Sequence, residues 1–391
     1  MRKLLVIAVL LPVLGGLGWW YFRQPEFPDY GPAFREYAYV SNGKSNTVSV
    51  IDLRTFALDR TLHVGSEPTG LAANTKKNEI YVVNTGSSNV SVIAAETNTV
   101  VATIGVHGRP YFIDVSADGK RAYVANSASA NVSVIDLDKR TVLGNVPVGA
   151  SPGLARVSPD GSTVVVSNRG DNTVSIIDAQ LLRVRATLPV CRQPEDIAIL
   201  PDSSKAFVSC SGSSQVASIQ LKSPAHPQDH VLALIDVGRT PVSLTIKPDG
   251  GEMIVCNFDS DSISIVETGN DEVGSSQEIG QHPAHAVVTL DNSRLYVSNF
   301  GSNSVAVYDI DMGRRLMTLN VGSHPDSLAL TPDQHYLLVA DTESGDVTII
   351  QKRQPKRTLE TSEYSLLTLI PVGVQPNAIV VKAFKTSNPR K

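Results

Sequence analysis

The chain has 391 residues, of which 42% are hydrophobic and 18% are charged, so its composition excludes a disordered or highly charged polymer. Its 34 basic and 38 acidic residues give a formal net charge of −4, which argues against a general nucleic-acid-binding protein, because such proteins carry a basic excess. The length suggests two or three domains, although large all-β folds exceed the usual domain size.

The N-terminus combines a basic pair with an apolar segment. Arg2 and Lys3 precede Leu4–Phe22, a stretch without charge that ends in aromatic residues. This length fits a membrane-spanning helix better than the shorter apolar core of a secretory signal. We therefore expect residues 1–22 to be a signal anchor or a cleaved signal peptide, and 23–37 to be a tether. The positive-inside rule then places the rest of the chain in the periplasm or outside the cell.

The remainder of the chain is built from one repeat. A four-residue pattern recurs eight times, with starts 42 residues apart except for one step of 47. Its copies are Tyr39–Asn42, Tyr81–Asn84, Tyr123–Asn126, Val165–Asn168, Phe207–Cys210, Ile254–Asn257, Tyr296–Asn299 and Leu338–Asp341. Each unit holds four short alternating runs rich in Val, Ile and Thr, which predict β-strands. A repeated four-stranded unit of this length is typical of a β-propeller blade.

Counting the strands gives the number of blades. The chain opens with three strands, continues with seven complete units that start at Pro68, and ends with one strand at Pro376. We therefore predict an all-β, eight-bladed propeller as a single domain over residues 38–387, followed by a tail at 388–391. The C-terminal strand is expected to join the three N-terminal strands, because closure of the ring removes exposed sheet edges.

The recurring motifs resemble those of the YVTN-repeat β-propeller family. They are Tyr-Val-x-Asn, Val-Ser-Val-Ile-Asp, Val-Gly-x-x-Pro and Ser-Pro-Asp-Gly. The resemblance is highly specific for the fold and weakly specific for function. Well-known members of that family have seven blades, so eight blades here would be a departure.

The first strand of each propeller blade lines the central channel, and each of these strands begins at a proline. Alternation predicts that residues two, four and six positions after the proline face the channel, whereas those at three and five pack between sheets. The channel-facing residues then include Phe112, Asp114, Arg156, Asp196, Lys247, His285 and Lys382. We expect Asp114 and Arg156, on adjacent blades, to form an ion pair that either fills the channel or takes part in binding.

The residues before the prolines form a ring at one mouth of the channel. They include Glu67 and Arg109, and also His282 and His324, which lie on adjacent blades. His285, Asp196 and Asp326 are expected to approach the same space. Convergent histidines suit metal binding, haem ligation or acid–base chemistry. The alternative is that these histidines are ordinary loop variants.

Two functions from different classes follow. The first is a binding module that takes an unknown small molecule or periplasmic protein at this mouth, without catalysis. The second rests on a resemblance to dissimilatory nitrite reductases, which carry d1 haem in an eight-bladed propeller, and to periplasmic propellers that help to assemble that haem. This resemblance implies a tetrapyrrole or metal ion as cofactor, with His282 and His324 as candidate ligands. A lactonase-like hydrolase is a third possibility, from fold analogy.

Three cysteines, Cys191, Cys210 and Cys256, are too few and too widely spaced for a disulfide framework or a zinc site. We expect small buried residues and leave open whether two of them pair.

Overall fold

The fold is an eight-bladed β-propeller, as the repeats predict. The computed structural model describes residues 34–353 and 363–385. Over these ranges 32 strands form eight antiparallel sheets of four strands each. We number the blades in chain order and name their strands A to D from the channel outwards. The expected anchor at residues 1–22 lies outside the described residues, as does most of the tether at 23–37. Among the residues that are described, no helix has the length and apolar character needed to cross a membrane.

The first four blades contain the following strands. Blade 1 has β1 (Phe34–Asn42), β2 (Thr47–Asp52), β3 (Ala57–His63) and, as strand A, β32 (Pro376–Lys385). Blade 2 has β4 (Pro68–Ala73), β5 (Glu79–Asn84), β6 (Asn89–Ala94) and β7 (Thr99–Gly105). Blade 3 has β8 (Pro110–Val115), β9 (Arg121–Asn126), β10 (Asn131–Asp136) and β11 (Thr141–Pro147). Blade 4 has β12 (Pro152–Val157), β13 (Thr163–Asn168), β14 (Thr173–Asp178) and β15 (Arg183–Pro189).

The other four blades repeat this order. Blade 5 has β16 (Pro194–Ile199), β17 (Lys205–Cys210), β18 (Gln215–Gln220) and β19 (His230–Asp236). Blade 6 has β20 (Pro241–Ile246), β21 (Glu252–Asn257), β22 (Ser262–Glu267) and β23 (Glu272–Glu278). Blade 7 has β24 (Pro283–Val288), β25 (Arg294–Asn299), β26 (Ser304–Asp309) and β27 (Arg314–Asn320). Blade 8 has β28 (Pro325–Leu330), β29 (Tyr336–Asp341), β30 (Asp346–Lys352) and β31 (Tyr364–Pro371). Short 3-10 helices follow β21 (Phe258–Ser260) and β25 (Phe300–Ser302).

The two ends of the described chain meet in blade 1. β32 pairs antiparallel with β1, so that Tyr39 lies opposite Val380 and Phe34 lies opposite Lys385. Because the strands are antiparallel, the B–C and D–A loops lie on one face of the ring, which we call the mouth. The A–B and C–D turns lie on the other, which we call the far face. Phe34 and Lys385 both end at the far face.

The hydrophobic core is a ring of eight clusters, each of which lies between two consecutive blades. Between blades 1 and 2, for example, Tyr39 and Val48 pack against Leu71 and Ile80, and all four are buried. Removal of this apolar surface from water is the main stabilising term. Because each blade depends on both neighbours, the ring fixes the geometry of the channel.

The asparagine of the Tyr-Val-x-Asn motif contacts both the strand that follows the B–C loop and the glycine of the D–A loop. Asn42 is fully buried, and its Nδ2 donates to Thr47 Oγ1 at 3.1 Å and Ser49 Oγ at 3.0 Å on the next strand. The glycine of Val-Gly-x-x-Pro packs against the same kind of asparagine, and a Cβ on Gly65 would lie only 2.7 Å from Asn84 Cβ. Asparagine and glycine therefore form one structural pair.

Blade 5 replaces this pair with a disulfide. Cys191 stands at the glycine position and Cys210 at the asparagine position, and their sulfur atoms are bonded. Cys256 is buried and free. The question that the sequence left open is thus answered with one pair, formed where the repeat already brings two Cβ atoms together.

Candidate functional site

The residue before each proline is part of the scaffold at the mouth. All eight of these residues have a left-handed backbone, with φ between 49° and 60°, which non-glycine residues seldom adopt. Hydrogen bonds hold this conformation. In blade 7 the His282 carbonyl accepts from the Phe300 N–H at 2.9 Å, and the His282 N–H donates to Asp261 Oδ1 at 2.9 Å.

A cavity of about 550 Å³ occupies the mouth end of the channel. Every blade contributes to its wall, mostly through residues one to four positions after the proline. Its polar side chains are those of Thr69, Tyr111, Arg156, Arg169, Glu195, Asp196, Ser243, Thr245, His285, Asp326, Ser327 and Asn377.

The alternation expected for strand A breaks at its first residues. In blade 3 the pairing of β8 with β9 shifts register between Pro110 and Phe112, and similar shifts occur in the other blades. A bulge of this kind changes the direction of the following side chains. As a result Tyr111 and Phe112 both line the cavity, whereas strict alternation predicts only Phe112.

Side-chain contacts link blades 3, 4 and 5 in the wall of the cavity. The Arg169 guanidinium lies over the Tyr111 ring, 4.9 Å from its centroid, and Nη2 contacts Glu195 Oε2 at 2.6 Å. Burial raises the pKa of Glu195 although Arg169 acts against it. A Cβ on Gly153 would lie 2.6 Å from Arg169 Nε, so the glycine leaves room for the guanidinium.

A second layer repeats this arrangement deeper in the channel. The Arg156 guanidinium lies 4.4 Å from the centroid of the Phe112 ring, and Nη2 is 3.7 Å from Asp196 Oδ1. Both Asp196 oxygens accept backbone hydrogen bonds, from Ile197 N at 2.8 Å and Leu244 N at 2.9 Å. Asp196 is therefore fixed by the backbone, and Arg156 is held mainly by the ring.

The predicted ion pair between Asp114 and Arg156 is wrong. In the described part of the chain, Asp114 has no salt-bridge partner within 4.0 Å. Its Oδ2 accepts from Val157 N at 2.9 Å instead, and burial raises its pKa. The backbone amide of Val157 satisfies the Asp114 carboxylate. Arg156 stacks on Phe112 and is directed towards Asp196 of blade 5.

His285 and Asp326 form a pair across blades 7 and 8. His285 Nδ1 lies 2.8 Å from Asp326 Oδ1. Ser298 Oγ holds both strands, since it accepts from His285 N at 3.0 Å and donates to the Asp326 carbonyl at 2.8 Å. Burial acts to lower the pKa of His285, but the Asp326 carboxylate outweighs it, so that the pKa is raised. About half of the His285 side chain is accessible, and it lines the cavity.

His282 and His324 lie on the rim instead of in the cavity. His282 stacks on Phe258, with ring centroids 4.5 Å apart, and Phe300 lies 4.4 Å from His324. His324 Nδ1 also contacts Glu343 Oε2 at 2.5 Å. Within residues 34–353 and 363–385, no three His, Cys, Asp or Glu side chains are grouped so that they could hold a metal ion. A phenylalanine ring of the preceding blade lies against each of these two imidazoles, which therefore stand at the rim, outside the residues that line the cavity.

The other predicted residues lie apart from the cavity. Glu67 and Arg109 are exposed in the mouth loops. Lys247 contacts Glu252 Oε2 at 2.9 Å on the far face, because strand A ends at Ile246 and alternation no longer applies. Lys382 Nζ donates to the Asn74 carbonyl at 2.6 Å, and burial lowers its pKa. Of the candidates, Phe112, Arg156, Asp196, His285 and Asp326 do line the cavity.

Sequence reasoning missed several residues at the mouth. They are Tyr111 and Glu195, one position after the proline, and Arg169, Phe258 and Phe300, directly after the motif asparagine. At this last position the eight copies contain Gly, Thr, Ser, Arg or Phe, whereas the residue before it is asparagine in six of them. That contrast is a signal which comparison of the repeats could have shown.

Several solved structures share the fold. The dihydro-haem d1 dehydrogenase NirN in complex with DHE aligns with a TM-score of 0.71 at 14% identity, covering 93% of this chain and 78% of the other. Hydrazine synthase from Kuenenia stuttgartiensis aligns with a TM-score of 0.55 at 21% identity, covering 80% of this chain and 91% of the other. A protein of unknown function from Desulfotomaculum acetoxidans aligns with a TM-score of 0.58 at 15% identity, covering 74% of this chain and 99% of the other. At these identities the likeness shows the fold alone.

Family models agree with the repeat. No curated protein matches the chain. The model of a lactonase with a seven-bladed β-propeller matches residues 274–375. The YNCE-like β-propeller model matches residues 26–157 and 153–316, which together are most of the chain. The chain therefore belongs to the YNCE-like β-propeller family.

Proposed function

We propose that this propeller is a binding module that takes a small polar molecule into the central cavity from the mouth. The observation that carries the proposal is the cavity itself. Its volume of about 550 Å³ lies within the usual range for small-molecule sites, which combine apolar walls with a few fixed polar groups. Here the polar groups come from different blades, and rings or backbone amides hold them in place.

Binding can be tested with a defined panel of small molecules. Citrate, gluconate, glucose 6-phosphate, glutamate and choline span acidic, phosphorylated, zwitterionic and cationic chemistry. We expect calorimetry to detect binding of at least one, and Arg156→Gln to weaken it more than tenfold. Arg140→Gln is the matched control, because Arg140 pairs with Glu79 at 2.7 Å and does not line the cavity. Equal loss in both variants would contradict the proposal, as would absence of binding by every member of this panel and by the aliphatic carboxylates acetate to octanoate.

A tetrapyrrole ligand is the second candidate. Its support is the likeness to the NirN structure, which holds DHE and aligns over 93% of this chain, together with the histidines on the rim. Titration with haem, followed by visible absorbance, tests it. The candidate predicts a Soret shift that His282→Ala and His324→Ala reduce and that the control His230→Ala, on outer strand β19, leaves intact. An unchanged spectrum would count against it.

A lactonase-like hydrolase is a more distant candidate, supported by the family model that matches residues 274–375. This region contains both members of the His285–Asp326 pair. Turnover of gluconolactone that disappears in His285→Gln would replace the binding module with an enzyme. Absence of turnover, together with binding of the panel, favours the binding module.

We further propose that the propeller lies outside the cytoplasm, tethered by residues 4–22, with a periplasmic protein as an alternative partner. The disulfide supports this location, because such bonds persist mainly in oxidising compartments. Phe34 lies at the far face, so an anchor before it would connect to the ring on the side opposite the mouth. A C-terminal alkaline phosphatase fusion should be active and sediment with membranes. An inactive fusion would contradict the location outside the cytoplasm. An active fusion that stays soluble would contradict the membrane tether.

A further inference from the structure

We infer that the channel binds an amphiphilic carboxylate, whose acidic head lies at Arg156 and whose aliphatic chain lies in an apolar pocket below it. The inference rests on the proposed function and names its ligand class. It depends on a second cavity, on the position of Arg156 between the two cavities, and on the hydrogen bonds that Arg156 leaves unused.

The second cavity has a volume of about 330 Å³ and lies next to the first, deeper in the channel. Its wall comes from blades 4, 5 and 6, and seven of its nine lining residues are apolar. Val157, Ile199 and Ile246 stand at the same repeat position, five residues after the proline, and each is partly exposed. The sequence predicts that this position packs between sheets. In these blades it also lines a pocket.

Arg156, Leu244 and Thr245 line both cavities. The polar cavity and the apolar pocket therefore meet at Arg156. A molecule that occupies both of them lies next to the Arg156 guanidinium. The apolar pocket has the volume of roughly eleven molecules of liquid water. The octanoate chain has fewer carbon atoms than that number of water molecules, so the volume is sufficient for a short aliphatic chain.

Arg156 is suited to hold an acidic head. A guanidinium has five N–H donors, and in the described ranges none of those of Arg156 makes a hydrogen bond to the protein. Its contacts are the stack on Phe112 at 4.4 Å and the longer ion pair with Asp196 at 3.7 Å. Because Asp196 is satisfied by two backbone amides, a ligand carboxylate can accept a bidentate hydrogen bond from Arg156 without leaving Asp196 unpaired.

A homologous series of probes separates the head from the chain. Calorimetry with acetate, butanoate, hexanoate and octanoate should show affinity rising roughly two- to fourfold for each added methylene. 1-Octanol should bind more weakly than octanoate. Arg156→Gln should lower the ratio of the octanoate affinity to the 1-octanol affinity more than tenfold, whereas Arg140→Gln should leave this ratio unchanged.

Two pairs of variants test the pocket. Ile246→Asn should abolish the dependence on chain length, and Val288→Asn should preserve it, because Val288 holds the same repeat position in blade 7 and does not line the pocket. Should Ile246→Asn fail to fold, Ile246→Ala and Ile199→Ala enlarge the pocket and should shift the tightest binding to a longer chain. A defect in folding would not produce that shift.

The outcomes distinguish this inference from the proposed function. Affinity that is independent of chain length would overturn the amphiphile while leaving the binding module intact, provided that the polar panel binds. A dependence on chain length that Val288→Asn removes as completely as Ile246→Asn would also overturn it. Absence of binding by every member of both series would overturn both.

Discussion

The scaffold of the ring and the wall of its mouth differ in how they use the same repeat. Buried positions keep their character around the ring: that of Asn42 holds asparagine in six of the eight copies, and that of Tyr39 holds a buried tyrosine or apolar residue in all eight. An apolar cluster also lies between every two consecutive blades. Mouth positions a few residues away hold Arg169 in one blade and Phe300 in another. The difference implies that scaffold changes alter stability, whereas mouth changes alter binding with little effect on stability.

The largest effect is expected from removal of β32. A chain truncated after Gln375 loses strand A of blade 1 and the contacts of Ile379 and Phe384 with two interblade clusters. We expect its melting temperature to fall by more than about 10 °C, measured by circular dichroism. Truncation after Lys385 is the control and should have little effect. Equal stability of the two truncated chains would show that the ring does not depend on β32.

The disulfide of blade 5 should have the next largest effect. Reduction of Cys191–Cys210 is expected to lower the free energy of unfolding by about 2–4 kcal/mol, because the bond restricts the unfolded chain. The double variant Cys191→Gly/Cys210→Asn restores the pair found in other blades and should fold. Its denaturation curve should not respond to reductant. A parent protein that is equally insensitive would contradict a stabilising role.

Asp341 should make stability depend on pH, since it stands where most blades have asparagine. Burial raises its pKa to about 8, so the folded protein keeps a proton that the unfolded chain releases at lower pH. The free energy of unfolding therefore falls as pH rises towards 8. Asp341→Asn should be more stable than the parent, by a margin that widens by at least about 1 kcal/mol between pH 5 and pH 8.

The reciprocal change sharpens this prediction. Asn299 is the equivalent residue of blade 7, and Asn299→Asp should introduce the same loss of stability at high pH. Chemical denaturation at pH 5 and pH 8 measures both variants. Parallel pH profiles for the parent and Asp341→Asn would show that the carboxyl is not protonated in the folded state.

A mouth residue should show the smallest effect on stability. Asp326→Asn should lower the pKa of His285, because the carboxylate that favours the imidazolium is lost. The pair is partly exposed, so the free energy of unfolding should change by less than about 1 kcal/mol. NMR titration of the His285 ring measures the pKa. The stability that this pair contributes is present below the pKa of the unfolded histidine and is lost as pH rises through the raised pKa. An unchanged pKa would contradict the interaction.

The same contrast explains which features the sequence could predict. Repeats at a fixed spacing predict strands, blades and their number, because every copy supports the same assignment. The proline at the start of strand A also predicts which strand lines the channel. Phe112, Arg156 and Asp196 were found in this way and line the cavity.

The orientation of individual mouth side chains could not be predicted from the repeat. A bulge after each proline places Tyr111 and Glu195 in the cavity, and alternation does not indicate it. An ion pair between Asp114 and Arg156 was predicted because they hold the same repeat position in adjacent blades. A backbone amide of the next blade satisfies the Asp114 carboxylate instead. His282 stacks on Phe258, and His324 lies against Phe300 at a tilt. Such contacts depend on three-dimensional positions that sequence spacing does not fix.

The most direct test of the central claim is the location of a bound ligand. Methyl groups of Ile, Leu and Val can be labelled and followed by NMR during titration with the tightest-binding member of the two probe series. The account predicts that shifts concentrate at Leu154, Leu244 and Ile379, which line the cavity, and are absent at Leu58 and Leu232 on outer strands. Shifts confined to the outer strands, with the cavity methyl groups unchanged, would contradict it.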